Sequence, residues 1–496
     1  MTSLNAVRVL TICTNAMWYN HGGDLTNRRQ AVGEILINRM TVANLKLRWK
    51  FYAGKDISAT PAISDGVVYF PSWNGVLYAV SAFTGNLVWQ QNLGEITGLS
   101  GTGVSVNVSV ARAAPTVAGP AVVIAMNRLN GNLVWSTQRD MRPHAVITTS
   151  GTFYNGEYIV SSLEETLPAG QCCTFRGSLA KLNLQTGAVV WRTYTLPDNG
   201  GNRGGYSGEA IWGSSPAIDI SRNLVYAATG NIYTAPDTVE QCEAAQSNQT
   251  RATHPDQCIG PDVNFNSILA FNMDSGKIVW SRQLGGYDIF YVACLIANNP
   301  DCPPGPNLDA DFGVAPMLLT VFPNGTRRDV VVAVQKSGFV WALDRDNGNI
   351  VWFNLAGPGG REGVRIWGAA TDGRRVYTNI VNSNRVNFVL APSNKTTNYG
   401  AWVALDANTG EMAAQGPVTI VNDVLFAGSV ASNGPLYAMD AETGKILWSY
   451  NTVATIYGGV SASYGCIYLG NGYREETAAF HPNWTPGVSL YAFCIF

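Results

Sequence analysis

The sequence is poor in charge, in histidine and in long apolar runs, and each scarcity excludes a class of protein. Only 13% of the 496 residues are charged and the formal net charge is −2, so nothing favours a nucleic acid or an anionic membrane as a partner. No apolar run approaches the roughly 20 residues that a spanning helix needs, so we expect no membrane span. The four histidines lack the spacing of zinc ligands.

Two further motifs are missing from the chain. A CxxCH run is absent, which excludes a covalently attached haem of the c type. The glycine-rich stretch GPGGREG, which begins at Gly357, lacks both the strand-then-helix setting and the Lys-Ser/Thr pair of a phosphate-binding loop. We interpret that stretch as a turn.

One motif recurs seven times, and its clearest copy is LYAMDAETGKILW, from Leu436 to Trp448. Alternating apolar and small residues predict a strand, and a second short strand ends in the tryptophan. Between them, Asp440 and Gly444 predict a tight turn, because aspartate hydrogen-bonds nearby backbone and glycine accepts a positive φ. The other copies are LYAVSAFTGNLVW, VVIAMNRLNGNLVW, LAKLNLQTGAVVW, LAFNMDSGKIVW, VWALDRDNGNIVW and, more loosely, WVALDANTGEMAA.

These copies predict an all-β, eight-bladed β-propeller. Each copy is a hairpin that cannot bury both faces alone, so the copies must stack, with the terminal tryptophan filling the gap between neighbours. The run from Asn44 to Phe51 has no nearby partner, whereas Val488 to Phe493 reads VSLYAF and then stops. Pairing these two runs adds an eighth blade and closes the ring. We predict one propeller domain over residues 44–496 and a lead-in over residues 1–43.

Three blades depart from the repeat. In the second, PTVA runs almost straight into AVVIA, so either that blade is short of a strand or the sequence has lost a piece. Long insertions occupy residues 232–267 and 282–313 around the blade that ends in Trp280. Loops of this length are usually functional or disordered, and their cysteines argue against disorder.

Nine cysteines indicate an oxidising compartment. Cys172 and Cys173 are adjacent, and the other cysteines are grouped but leave their connectivity open. Sequons at Asn107, Asn248, Asn324, Asn394 and Asn483 also fit a secreted glycoprotein, although the N-terminus is a poor signal peptide. We therefore expect a secreted or extracellular protein, and interpret the poor signal peptide as either a truncated or a wrongly assigned start.

Several stretches together point to a known family. They are the DxxTGxxxW repeat, HGGDLTNRR, CCTFRGSL, AIWGSSPAID, LVYAATGN, QKSGFVWALDRDNG and WGAATD. Over nearly its whole length the chain resembles the quinoprotein alcohol dehydrogenases, which use pyrroloquinoline quinone (PQQ), and in particular their polyvinyl-alcohol-dehydrogenase-like branch. The resemblance implies PQQ and Ca²⁺ as cofactors in the central channel.

The resemblance also implies a role for individual residues. Asp288 would be the general base, Trp212 would stack on the quinone, and Lys336 would contact a quinone carbonyl. Cys172 and Cys173 would form a vicinal disulfide that either caps the quinone or stiffens a channel loop. Hard oxygen donors suit Ca²⁺, and the implied ligands are Glu165, with Glu164 as its competitor, Asn231 and Asp288. Arg112 and Thr148 would be polar contacts to the cofactor.

Two main functions remain open at this point. The first is oxidation of a small-molecule or polymeric alcohol, with electrons passed to a separate acceptor because the chain has no haem site. The alternative is a secreted propeller that serves as a binding scaffold and has lost cofactor competence, which Ser58 and Ala210 favour because they replace the family's usual Glu and Thr. A third function, as an assembly adaptor, lacks an exposed apolar signature.

Overall fold

The computed structural model describes residues 17–98, 106–108, 115–117, 121–142, 145–161, 164–165, 173–213, 215–246, 257–296, 298–314, 316–360, 369–382, 384–390, 394–410, 412–414, 419–474 and 481–496. These residues form eight four-stranded antiparallel sheets. An all-β propeller is therefore what the repeats build.

The strands of the first half of the chain form sheets 1 to 4. After β1 (Lys46–Tyr52), sheet 1 contains β2 (Ala62–Ser64), β3 (Val67–Ser72), β4 (Val76–Ser81) and β5 (Leu87–Asn92), and sheet 2 contains β6 (Val106–Val108), β7 (Pro115–Val117), β8 (Val122–Met126) and β9 (Leu133–Gln138). β10 (Ala145–Val146) precedes sheet 3. Sheet 3 contains β11 (Thr152–Tyr154), β12 (Glu157–Ser161), β14 (Ser178–Asn183) and β15 (Val189–Tyr194). β13 (Glu164–Glu165) follows β12 in the chain but pairs with β10 outside this sheet. β16 (Ser207–Gly208) precedes sheet 4. Sheet 4 contains β17 (Ala217–Asp219), β18 (Leu224–Ala228), β20 (Ser267–Asn272) and β21 (Ile278–Gln283). β19 (Ile232–Thr234) follows β18 in the chain but pairs with β16 outside this sheet.

The second half of the chain follows the same order. Sheet 5 contains β22 (Met317–Val321), β23 (Arg328–Val334), β24 (Phe339–Asp344) and β25 (Ile350–Leu355). Sheet 6 contains β26 (Ala370–Thr371), β27 (Arg375–Ile380), β30 (Ala401–Asp406) and β31 (Met412–Ala414). Between β27 and β30 the chain forms a separate hairpin of β28 (Phe388–Leu390) and β29 (Lys395–Thr397). Sheet 7 contains β32 (Thr419–Val421), β33 (Val424–Gly428), β34 (Pro435–Asp440) and β35 (Ile446–Asn451), and sheet 8 joins β36 (Ser461–Ser463), β37 (Cys466–Gly470) and β38 (Ser489–Cys494) to β1.

Helix is scarce in the described residues. The α-helices are α1 (Leu93–Thr97) and α2 (Asp237–Gln246), and short 3₁₀ turns occupy Val42–Asn44, Val292–Leu295 and Pro323–Gly325. Within the part of the chain that the structure describes, no helix is long and apolar enough to cross a membrane.

The seven copies of the motif form the hairpin between the third and fourth strands of sheets 1 to 7. The predicted turn is present. In sheet 7 the carboxylate of Asp440 accepts hydrogen bonds from the backbone N–H groups of Glu442 and Thr443, at 3.0 and 2.8 Å, and Gly444 has a φ of +71°.

Terminal tryptophans bind the neighbouring sheet, in most copies at its hairpin turn. The indole N–H of Trp280 donates to the carbonyl of Arg345 at 3.0 Å, and the indole N–H of Trp352 donates to that of Ala407 at 3.0 Å. The turn glycine of the neighbour lies against the same ring: a Cβ at Gly348 would be 2.6 Å from Trp280 Cε3. The predicted role of the tryptophan between blades is therefore confirmed.

This contact makes the turn glycine sensitive to substitution. We expect Gly348→Ala to lower the free energy of unfolding by about 2–4 kcal/mol, because alanine is strained at a φ of +70° and its methyl group overlaps the indole. The control is Gly325→Ala, where φ is +76° but no atom lies within 4 Å of the added Cβ, so about 1 kcal/mol is expected. Equal losses of stability for the two variants in urea unfolding would show that the contact between Gly348 and the Trp280 ring does not cause the sensitivity.

The terminal strands close the ring as predicted. β1 pairs antiparallel with β38, with Lys50 opposite Tyr491 in the register. A disulfide between Cys466 and Cys494 links β37 to β38. Two other disulfides join Cys242 to Cys258 and Cys294 to Cys302, within the long insertions.

The interpretation that sheet 2 lacks a strand is wrong. β6 precedes PTVA and pairs with β7, so the sheet has four strands. The internal comparison of the repeats missed β6 because this strand lies upstream of the segment that aligns with the other copies. The inner strands of this sheet are short, with three residues each.

The N-terminal segment shows which strands face the axis. Residues 18–31 exchange backbone hydrogen bonds with the first strands of five sheets, at Ile63, Ile218, Leu318, Thr371 and Ile420. One short segment can reach all five only if these strands surround a common axis. The first strands are therefore innermost, and this segment lies across the channel that they line.

Candidate active site

Three loops at one end of the propeller bring polar side chains together. One loop joins sheet 3 to sheet 4 and carries Trp212, one joins sheet 4 to sheet 5 and carries Asp309 and Asp311, and one joins β23 to β24 and carries Lys336. In a four-stranded antiparallel sheet, the connection to the next sheet and the connection between strands two and three leave from the same end. All three loops therefore open at one end of the channel.

The side chains of these four residues form a compact group, which we call the carboxylate cluster. The ammonium Nζ of Lys336 lies 2.6 Å from Asp309 Oδ1 and 2.8 Å from Asp311 Oδ1. The indole N–H of Trp212 donates to Asp311 Oδ2 at 2.6 Å, and Lys336 Nζ lies 4.8 Å from the centroid of that ring. Both aspartates and the lysine are buried, and the indole is partly exposed.

Burial and charge act against each other in this cluster. Burial alone would lower the pKa of Lys336, but the attraction of Asp309 and Asp311 outweighs it and raises that pKa, so the lysine is charged. Burial raises the pKa of Asp309 well above its ordinary range, and the positive charge of Lys336 offsets part of this shift. With both carboxylates ionised the cluster carries one net negative charge, which favours an added cation.

The loop that carries Asp309 is held in place by Asp288. Asp288 Oδ1 accepts hydrogen bonds from the backbone N–H groups of Leu308 and Asp309 at 3.1 and 2.9 Å, and Oδ2 accepts from Ala310 N–H at 2.7 Å. The side-chain amide of Asn266 donates to Oδ2 at 3.1 Å. Asp288 is fully buried, so its oxygens face the protein, an arrangement that suits a support for the loop and does not favour the predicted roles of base and metal ligand.

Asn231 lies beside the cluster through its neighbour Gly230. A Cβ at Gly230 would be 3.2 Å from Trp212 Cδ1 and 3.3 Å from Asp311 Oδ2, so the backbone passes the cluster closely. The amide nitrogen of Asn231 donates to the carbonyls of Ile232 and Phe290. Its amide oxygen is the atom left for a cation.

Of the other predicted residues, Thr148 and Cys173 contact Trp212, and several lie outside the described residues. The hydroxyl of Thr148 donates to the carbonyl of Trp212 at 3.0 Å, and the backbone of Glu165 pairs with Ala145 in the β10–β13 ladder. Cys173 is disulfide-bonded and packs with Trp212 in an apolar group. Arg112, Cys172 and the side chains of Glu164 and Glu165 lie outside the described residues. Within the described residues no three His, Cys, Asp or Glu side chains are placed to hold a metal ion, so the Ca²⁺ site stays a prediction.

Comparisons with known proteins identify the family of the chain. A family model, PQQ_2, described as "Outer membrane protein assembly factor BamB", matches residues 36–292 and 266–450. The chain is 28% identical to a polyvinylalcohol dehydrogenase of a Pseudomonas species, over 94% of this chain and 75% of that protein. It is 26% identical to the polyvinylalcohol dehydrogenase of Sphingopyxis sp. strain 113P3, over 92% of this chain and 73% of that protein.

The chain belongs to the quinoprotein alcohol dehydrogenase family, in its polyvinyl-alcohol-dehydrogenase-like branch.

Solved structures show the same fold at lower identity. The quinohemoprotein alcohol dehydrogenase from Comamonas testosteroni superposes with a TM-score of 0.69 at 18% identity, over 99% of this chain and 82% of that one. A europium-containing methanol dehydrogenase superposes with a TM-score of 0.68 at 17% identity, over 98% of this chain and 100% of that one. At these identities the likeness is one of fold alone.

Sequence reasoning missed the two aspartates of this quinoprotein's cluster. It stopped at Asp288, at the start of the insertion, whereas Asp309 and Asp311 stand at its end, in LDADFG just before β22. A usable signal was present. Two carboxylates separated by a single residue, at the end of a loop that contains cysteines, are typical of a cation-binding or acid-base site.

A further buried carboxylate, that of Glu209, belongs to a residue that is hydrogen-bonded to Asn231. Glu209 has a φ of +55°, and its backbone N–H donates to the carbonyl of Asn231 at 2.8 Å. Its carboxylate is fully buried, and the groups that favour its charged form are the backbone N–H groups of Asn264 and Phe265 and the hydroxyl of Thr195. Burial raises the pKa of Glu209 well above its ordinary range, so folding favours the protonated form.

This shift predicts a pH dependence of stability. The folded state holds the proton of Glu209 more tightly, so stability is greatest below the unfolded pKa and falls as pH rises towards the folded pKa, by at most about 1.4 kcal/mol per pH unit. We expect Glu209→Gln to remove this decline, so that the variant gains on the wild type between pH 5 and pH 8 in urea unfolding. The exposed Glu95→Gln change is the control. Parallel curves for wild type and Glu209→Gln would refute the assignment.

Proposed function

We propose that this protein oxidises an alcohol with PQQ and a bound metal ion, in the channel beside the carboxylate cluster. The observation that carries the proposal is the convergence of Asp309, Asp311 and Lys336 against the partly exposed ring of Trp212. Quinoprotein relatives support an alcohol as substrate and a separate electron acceptor. The substrate is a small-molecule or polymeric alcohol.

The residues present fit both cofactors. Asp309, Asp311 and the amide oxygen of Asn231 are the hard oxygen donors that Ca²⁺ prefers, and we propose Glu165 as a further ligand. Trp212 offers a flat ring, and Gly230 leaves the space beside it that a Cβ would fill. When bound, the quinone accepts hydride and the cation polarises it. Cys172 and Cys173, Arg112 and Thr148 remain proposed contacts to the quinone.

We propose Asp309, rather than Asp288, as the general base. Asp309 lies in the cluster, whereas the oxygens of Asp288 are engaged by four donors. The ammonium of Lys336 binds Oδ1 of Asp309, which leaves Oδ2 to take the hydroxyl proton of the alcohol. Burial raises the pKa of this carboxyl, which brings its basicity closer to the working pH.

The proposal also covers the number of blades, secretion and glycosylation. We propose that the eight sheets are the eight blades of a quinoprotein-type ring over residues 44–496, and that the protein is secreted. Asn324 and Asn394 lie at turns with positive φ, where a glycan could be attached without disturbing a strand. The alternative is a binding scaffold without turnover. Ser58 supports it, because its hydroxyl accepts a hydrogen bond from Trp73 at 2.7 Å in place of a contact from the family's usual glutamate.

Reconstitution separates the two functions. Purified protein is incubated with PQQ and either Ca²⁺ or Eu³⁺, the latter because a europium-containing relative shares the fold. Reduction of a dye acceptor is then measured with ethanol and with a vinyl alcohol oligomer. Dye reduction that needs PQQ, metal and alcohol together supports the enzyme. A rise in melting temperature without dye reduction would support the scaffold, and no response to PQQ would overturn both cofactor assignments.

A further inference from the structure

A cavity of about 610 Å³ lies between the ends of sheets 2 and 3, and none of its lining residues belongs to the carboxylate cluster. Residues on three segments line it: the loop after β9, the stretch before β14, and the end of β15 with the loop that follows. The lining is unusual in its charge, because it contains four arginines and two aspartates. The charged lining residues are Arg139, Arg142, Arg176, Arg192, Asp140 and Asp198.

The two aspartates neutralise only part of this charge. Asp140 is engaged by Arg142, whose Nε lies 3.1 Å from both carboxylate oxygens. Asp198 lies 3.2 Å from Arg176, but its side chain is 74% exposed, so water screens this pair. Arg139 and Arg192 have no carboxylate partner among the described residues.

Arg139 and Arg192 are held close together. Arg192 Nη2 donates to the backbone carbonyl of Arg139 at 2.8 Å, and Nη1 donates to the hydroxyl of Tyr194 at 3.2 Å. Arg139 is only 4% exposed, and its Nη1 has no hydrogen-bond partner in the part of the chain that the structure describes. Burial and the nearby Arg192 lower the pKa of Arg139 to about 10. Two like charges are thus packed together at a cavity, with a buried donor left open.

We propose that this cavity binds a divalent oxyanion, a phosphate or sulfate group that is either free or carried by a small molecule. Guanidinium groups present paired N–H donors that match the oxygens of such a group, and an anion would satisfy Arg139 Nη1 and balance both charges. Arg176 lies over the ring of Tyr194, with Cζ 3.9 Å from its centroid, and this contact helps to hold one wall of the cavity.

The site shares no residue with the carboxylate cluster, so the proposal stands independently of the proposed catalysis. It lies at the same end of the propeller, because its segments are again connections between sheets and between second and third strands. Thr174, which lines it, directly follows Cys173. A bound anion would tie together the segments around residues 139–142, 174–176 and 192–201.

The test measures binding of inorganic phosphate and of sulfate to the purified protein by calorimetry and by melting temperature. Sodium chloride balances the ionic strength in every sample. We expect saturable binding of at least one divalent anion, and an at least tenfold weaker Kd in Arg192→Gln. The control is Arg385→Gln, because Arg385 also lies over a tyrosine ring, with Cζ 5.1 Å from the centroid of Tyr399, but is remote from the cavity. The control should bind like the wild type.

Three outcomes would overturn the proposal: no saturable binding, a response that chloride reproduces at equal ionic strength, or unchanged affinity in Arg192→Gln. If circular dichroism shows that Arg192→Gln does not fold, Arg176→Gln is held to the same tenfold criterion. Comparing phosphate with a monophosphate ester then distinguishes the free ion from a group carried by a small molecule. Tighter binding of the ester identifies the carried group as the ligand, and tighter binding of phosphate identifies the free ion.

Discussion

Asp309→Asn is expected to lower kcat of the reconstituted enzyme by about 10²–10⁴-fold, the usual contribution of a positioned general base. The amide cannot take the hydroxyl proton of the alcohol. The fold should persist, because asparagine tolerates the φ of +53° at this position and Lys336 keeps its ion pair with Asp311. The measurement is dye reduction under saturating PQQ and metal, together with the urea midpoint of the same preparation.

Asp288→Asn is the matched comparison, because the same chemical change is made at the base of the same loop. There we expect a loss of stability of about 1–3 kcal/mol, since the amide cannot accept all four hydrogen bonds that the carboxylate accepts. Any change in kcat of the Asp288→Asn variant should arise only from displacement of the loop that carries Asp309. If Asp288→Asn kept its stability but lost turnover, and Asp309→Asn turned over normally, Asp288 would be the base after all.

Lys336→Met is expected to lower the free energy of unfolding by about 3–5 kcal/mol near pH 7.5, because it leaves two buried carboxylates without their counter-charge. Without Lys336 the pKa of Asp309 in the folded state should rise further above its value in the unfolded chain. The loss should therefore shrink as the pH falls towards and below the unfolded pKa of aspartate, about 4, because Asp309 then becomes protonated in both states. Urea unfolding at pH 4.5 and 7.5 measures it.

The control for this prediction is Lys277→Met, in an exposed turn of sheet 4, where a change within about 0.5 kcal/mol is expected. Metal gives a second test, because a bound cation supplies the charge that Lys336→Met removes. Added Ca²⁺ should therefore stabilise the variant more than it stabilises the wild type. A loss of stability that does not depend on pH would show that packing of the lysine stem, and not its charge, is what the cluster needs.

The repeat made most of the fold predictable. Strand alternation, the Asp-Gly turn and the terminal tryptophan are local signals, and the hairpins, the tryptophan contacts and the pairing of β1 with β38 followed from them. Two features had no local signal. β6 has only three residues, and the path of residues 18–31 across the channel is set by contacts with strands up to several hundred residues away.

The site was predictable only in part. Trp212 and Lys336 stand in motifs that resemble the family, and the structure places both in the cluster. The carboxylates of the cluster were harder to predict. Asp288 and Asp309 stand near opposite ends of one long insertion, and the sequence cannot show which end lies at the propeller axis. The four hydrogen bonds of Asp288, three of them to backbone N–H groups around Asp309, distinguish the supporting aspartate from the one in the cluster.

The most direct test of the account is to locate the metal by long-wavelength anomalous diffraction from crystals grown with PQQ and Ca²⁺. We expect one peak within about 2.3–2.6 Å of a carboxylate oxygen of Asp309 or Asp311 and of the amide oxygen of Asn231, with the quinone stacked on Trp212. A peak bound by Asp288 instead, with Asp309 and Asp311 still paired only with Lys336, would contradict it.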